Sequence, residues 1–172
     1  MLTILKLLQS LFKTLHSEGT PGQVAAGMML GAGIGLTPIL NPHNLVLFAG
    51  IVLLNVSFGG GMLGMALFTP LGFMLDPLFD RVGLALLKAP ALQGLWTDWY
   101  NIPVVPYTNF NNSITLGSFA TWLALTIPIY LLARRGIARY RATWGQRVMN
   151  SKLMKGLKAS KAYNVYTWFH PE

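Results

Sequence analysis

The sequence predicts an all-α membrane protein, on three observations. From Gly19 to Leu75 the chain runs 57 residues without an Asp, Glu, Lys or Arg. Charged residues make up 10% of the whole chain, against roughly a quarter in a soluble domain. Nine basic residues and a single acid lie between Arg134 and Glu172, directly after the last apolar run. A chain of 172 residues has too little interior to hide uncharged runs of that length from water, so the bilayer is the solvent to reason in. The expected architecture is an amphipathic N-terminal helix, a helical hairpin that is re-entrant or makes short crossings, two transmembrane helices and a basic cytoplasmic C-terminal tail.

Residues 1–18 form the first element. Wound as a helix, Ile4, Leu8, Leu11, Phe12 and Leu15 gather on one side, while Lys6, Gln9, Ser10 and Lys13 gather on the other. Such a helix lies in the membrane interface. The lysines interrupt the apolar stretch that a secretory signal needs, and no small-x-small cleavage site follows.

The membrane domain, 19–133, divides into apolar segments at 22–40, 44–57, 60–78 and 113–133, punctuated by Pro, Asn and Gly. At 1.5 Å per residue the last spans about 31 Å, the full hydrocarbon core, whereas 44–57 spans only about 21 Å. The short segment either returns with the first as a re-entrant hairpin or joins it in a set of four tilted crossings. Both arrangements have even parity and place the two chain ends on one side. Lys6, Lys13 and the tail make that side cytoplasmic. The stretch 81–112 then becomes a periplasmic surface loop, with Trp96, Trp99 and Tyr100 at headgroup depth and Pro103 and Pro106 in an extended lead into the last helix. In the tail, 134–172, Met149, Leu153 and Leu157 make an apolar stripe beside Lys152, Lys155, Lys158 and Lys161. Each of these lysines contributes about 1 kcal/mol to binding an anionic surface.

Gly27, Gly31 and Gly35 recur every fourth residue and leave one helix face without side chains. In lipid, where burying apolar surface gains little, such a face lets a second backbone approach closely. Gly60 and Gly64 offer another. The simpler reading is packing inside the protein; contact with a partner is the alternative. Gly31-Ala-Gly33-Ile-Gly35 is no nucleotide-binding loop, because it lacks the preceding strand, the third-glycine spacing and the downstream acid.

Thr37, Pro38, Asn41, Pro42 and His43 mark a broken helix or hairpin tip. Transporters use such breaks to line substrate sites. The plainer reading is an interfacial turn with His43 wet and Asn44 near the next helix start. Asn55, Asp76, Asn111 and Asn112 are further candidate polar positions of the membrane domain. Asp76 precedes Pro77, which places it at an interfacial helix terminus rather than in a proton path. Asp76 and Asp80 are spaced for one helix face, but Pro77 is expected to begin a new helix between them.

Nothing points to catalysis. The chain has no cysteine, and its three histidines stand far apart, at 16, 43 and 170. No nucleophile, base and orienting acid are linked, so no catalytic, cofactor-binding or metal-binding residue is expected. Phospholipid is the one bound group that the composition invites. The placement of the +8 net charge follows the positive-inside pattern rather than that of a nucleic-acid binder.

Residues in order from the glycine face onward carry a resemblance: Gly31-Ala-Gly33-Ile-Gly35-Leu-Thr-Pro38, Asn44-Leu-Val-Leu, Leu54-Asn55-Val56, Asp76-Pro77-Leu78-Phe79-Asp80-Arg81-Val82-Gly83, Phe110-Asn111-Asn112 and Leu116-Gly117-Ser118. Over most of 20–133 the chain resembles a family of small, uncharacterised polytopic proteins of the bacterial inner membrane, of the domain-of-unknown-function class. That resemblance implies a partner, since such proteins are commonly encoded beside a larger envelope protein. The expected function is a non-enzymatic subunit of the inner membrane that docks the larger protein and assists phospholipid transfer. The alternative is a small solute transporter or channel built as a homo-oligomer around Thr37, Asn41, His43, Asn55 and Asn111.

Overall fold

A computed structural model of the chain describes residues 19–143. The expected interfacial helix at 1–18 and the lysine-rich part of the tail, including Lys152, Lys155, Lys158 and Lys161, lie outside the described residues.

The described chain is helical throughout, with α1 (Pro21–Leu36), α2 (Pro42–Leu53), α3 (Phe58–Lys88), α4 (Gln93–Tyr100) and α5 (Ser113–Thr143). Single 3-10 turns at Pro90–Leu92 and Val105–Thr108 join them. α3 and α5 are each long and apolar enough to cross a membrane. Their 31 residues make about 46 Å apiece.

Local chemistry sets the ends. Thr20 caps α1 by accepting the Gln23 N–H while the Gln23 side chain accepts the Thr20 N–H, and Pro21 fills the first helical position, where no N–H is needed. α1 stops because Thr37 turns extended ahead of Pro38. Pro42 starts α2 in the same way that Pro21 starts α1. Ser57 caps α3 by accepting the Gly60 N–H at 2.9 Å. Asn112 caps α5 by accepting the Thr115 N–H at 3.1 Å.

α1 and α3 run side by side in parallel, and α5 lies antiparallel to both. The contact between α1 and α3 is backbone on backbone. A Cβ built on Gly35 would stand 2.8 Å from the Met65 carbonyl oxygen, and one on Gly60 would stand 2.6 Å from that of Val24. On Gly27, Gly31 and Gly64 it would overlap the carbonyls of Ser57, Gly61 and Met28. Where α3 crosses α5, Gly83 and Gly117 are equally tight, against the carbonyls of Ser113 and Phe79. Between these seams sit Ala32, Leu36, Phe79 and Trp122, with Val24, Ala25 and Ile137 forming a second cluster. The Trp122 Nε1 donates to the Met29 carbonyl at 3.0 Å, tying α5 to α1.

α2 folds back along α1, so that Asn55 meets Gln23 in a 2.9 Å side-chain hydrogen bond and the Ser57 N–H donates to the Gln23 carbonyl. Asn55 is thus an exposed linker residue, not a polar position inside a helix.

Four further expectations change. α3 does not end near Asp76; it continues through Pro70 and Pro77 to Lys88. Each proline deletes one bond to the carbonyl four residues earlier, at Ala66 and Phe73, and both of those residues are exposed on the outer side of the helix. The stretch 81–112 is not a plain loop, because its first eight residues belong to α3 and most of the rest is helical turn. Pro106 sits in the 3-10 turn, where its fixed φ is equally at home, so the lead into α5 is folded rather than extended. Residues 134–143, expected as the start of the tail, are the last turns of α5.

Candidate functional site

The polar residues of the hairpin tip converge on one another. The Thr37 hydroxyl lies 2.8 Å from the Gly33 carbonyl and 2.9 Å from Asn44 Oδ1. The Asn44 amide donates to the carbonyls of Pro38 and Ile39 at 2.9 and 3.3 Å. Asn41 donates to the Pro38 carbonyl at 3.2 Å and accepts from Asn109 at 2.8 Å. Thr37, Asn41 and Asn44 are all buried. The carbonyls of Gly33, Pro38 and Ile39 around the break are thereby answered by side chains, as a low-dielectric setting requires.

Asn109, which reaches across to Asn41, holds a left-handed backbone with φ of 54°. Asparagine tolerates this conformation better than most residues. Asn109→Ala is expected to destabilise the protein by about 2 kcal/mol, through strain and a lost hydrogen bond, whereas Asn109→Gly removes the strain and costs about 1 kcal/mol. Thermal unfolding of the two variants checks the order. Equal losses would mean that backbone conformation contributes nothing at this position.

His43 is half-buried rather than wet throughout. Its ring packs edge-on against Phe119 at 5.2 Å, and its Nε2 is buried without a hydrogen-bond partner among the described residues. The bonds of Asn44 tie the first turn of α2 to the preceding turn, and the His43 ring borders a small apolar cavity of about 250 Å³ with Trp99, Phe110 and Leu116.

On the other side of the tip lies a larger cavity of about 820 Å³. Its lining mixes polar side chains, Thr37, Asn41, Thr69, Asp76, Asn109, Asn112 and Thr115, with the apolar Leu36, Ile39, Leu40, Phe73 and Ile114. Asp76 is therefore a mid-helix residue of the cavity wall and not a helix terminus, a consequence of α3 running on through Pro77. Asp80, one turn further, accepts a hydrogen bond from the Ser113 hydroxyl at the crossing of α3 and α5. The two acids thus share one uninterrupted helix but have separate surroundings.

Part of the apolar lining is also exposed on the outside of the bundle. Leu40 is 94% exposed and Phe73 72%. Leu45, Val46, Val52 and Leu53 on α2, Leu67, Leu71, Met74 and Leu78 on α3, and Leu123, Ile127, Leu131 and Leu132 on α5 extend the same exposed apolar surface. Asn111 is exposed beside α4, away from this cavity. Among the described residues no three His, Cys, Asp or Glu side chains come together as a metal site would need.

The chain is similar to a protein of Treponema pallidum (strain Nichols) named "Uncharacterized protein". The two are 29% identical over 141 residues, which cover 80% of this chain and 85% of the relative. No family model and no solved structure matches the chain.

The expectation from sequence placed Thr37, Pro38, Asn41, Pro42 and His43 at one tip and left Thr69, Gly72, Asn109 and Thr115 unassigned. Gly72 continues the four-residue register of Gly60 and Gly64 after one skipped turn, and it meets the Gly35 carbonyl at 2.7 Å. That signal was present in the sequence. Asn109 had only its place in a run of turn-forming residues, with nothing to indicate Asn41, 68 positions away, as its partner.

Proposed function

We propose that this protein is a non-catalytic, multi-pass subunit of the bacterial inner membrane, with both termini cytoplasmic, that docks a larger envelope protein and helps present phospholipid to it. The observation that carries the reading is the large cavity with a mixed polar and apolar lining, of which Leu40 and Phe73 are also exposed on the outside of the bundle. A ligand matching such a lining is an amphiphile, and it can enter sideways from lipid. Exposed apolar side chains on three helices support the membrane location, since contiguous apolar patches of this extent are rare on soluble monomers. Leu95, Trp99, Tyr100, Ile102, Val104 and Tyr107 give the segment beyond α3 an exposed apolar and aromatic surface suited to a partner at the headgroup layer.

Gentle extraction from native membranes, with mass spectrometry of everything retained, tests this. A large envelope protein in fixed ratio, with phospholipid, is the expected result. Asp76 in the cavity wall favours a second reading, a solute path in a homo-oligomer. Recovery of the chain alone, without partner or lipid, would overturn the first reading in favour of the second.

A further inference from the structure

We infer that the large cavity selects amphiphiles whose headgroup carries a primary ammonium, phosphatidylethanolamine being the phospholipid of that chemistry; this rests on the lipid-presenting reading. Among the described residues Asp76 is the one ionisable side chain in the cavity lining. Among the described residues it receives no hydrogen bond and forms no ion pair, in contrast to Asp80, which Ser113 engages. Arg81, the nearest cation along α3, is exposed and does not line the cavity.

A headgroup whose charge is a phosphate alone would set like against like beside Asp76, with no Lys, Arg or His in the wall to offset it. An ethanolamine headgroup presents an ammonium with three N–H donors to the carboxylate. A choline headgroup has the charge but no donor. The phosphate that accompanies the ammonium meets an unused donor: Asn112 spends its side-chain oxygen on the Thr115 N–H, while its amide nitrogen donates to no described residue. The acyl chains leave over Ile39, Leu40 and Phe73, which are exposed and border the outer apolar surface.

The test uses the full chain in vesicles containing photoactivatable phospholipids with either an ethanolamine or a glycerol headgroup, with labelled peptides identified by mass spectrometry. Peptides holding Leu40 and Phe73 are expected to label about tenfold more with the ethanolamine lipid, the scale of one charge-assisted hydrogen bond. Asp76→Glu should keep the preference and Asp76→Asn should abolish it while labelling continues. Equal labelling of the native chain by both lipids overturns the headgroup inference, whatever the variants do, and leaves the lipid reading standing. A preference that survives in Asp76→Asn overturns it too. No labelling of these peptides by either lipid removes the lipid reading itself and the inference with it.

Discussion

Gly31→Leu is expected to break the bundle. Even a methyl group on Gly31 would overlap the Gly61 carbonyl and approach the Met65 nitrogen to 2.9 Å, and a leucine must force α1 and α3 apart along their whole seam. Backbone atoms cannot swing aside as a side-chain tip can, so the loss is expected to reach about 3 kcal/mol or more. For a chain of this size that lowers the thermal midpoint by about 10 °C. Gly136→Leu is the matched control, because nothing lies within 4 Å of a Cβ there. Size-exclusion profiles after graded heating should separate the two variants clearly. Similar midpoints would mean that the helices do not meet through their glycines.

Trp122→Ala is the second large effect. The indole is 6% exposed, covers the face of α1 at Gly33 and joins Ala32, Leu36 and Phe79 in the main apolar cluster. Truncation removes that volume and the bond to Met29 together, for an expected loss of about 4 kcal/mol. Trp122→Phe retains most of the burial and loses chiefly the hydrogen bond, at about 1 kcal/mol. Hydrogen exchange locates the damage. Amides of α1 should exchange faster in Trp122→Ala, with those near the Gly83–Gly117 crossing much less affected. Uniform loss across all helices would show that α1 and α5 do not open as a separate unit.

An all-helical chain could be read from the sequence because charge-free length leaves no other economical way to satisfy the backbone. The course of α3 could not. Asp76-Pro77 looks like a stop, and only in three dimensions is Phe73, whose carbonyl loses its bond, seen outside the packed seam and bordering the large cavity. The tip was legible as a list of polar residues, but its wiring was not. Asn44 gives up the ordinary role of a residue near a helix start in order to bridge two carbonyls, and Asn41 spends its side chain on Pro38 and Asn109 instead of capping α2. Such assignments depend on where the segment before α5 folds, and nothing local to the tip encodes that. The cavity was illegible for the same reason, since its lining comes from three separated stretches of chain.

The Arg141 guanidinium donates to the Gly19 carbonyl at 2.8 Å, so the chain enters and leaves the bundle at one point. At that pole the described residues include Arg134, Arg135, Arg139 and Arg141 and no acid, whereas toward the opposite pole Asp76, Asp80 and Asp98 slightly outweigh Arg81 and Lys88. In the bilayer proposed for it, the molecule is an electrical dipole aligned with the membrane normal. Inverting it would carry four positive charges against an inside-negative potential, at about 9 kcal/mol for every 100 mV. In the orientation proposed above, the membrane voltage would thus act as a latch on the molecule.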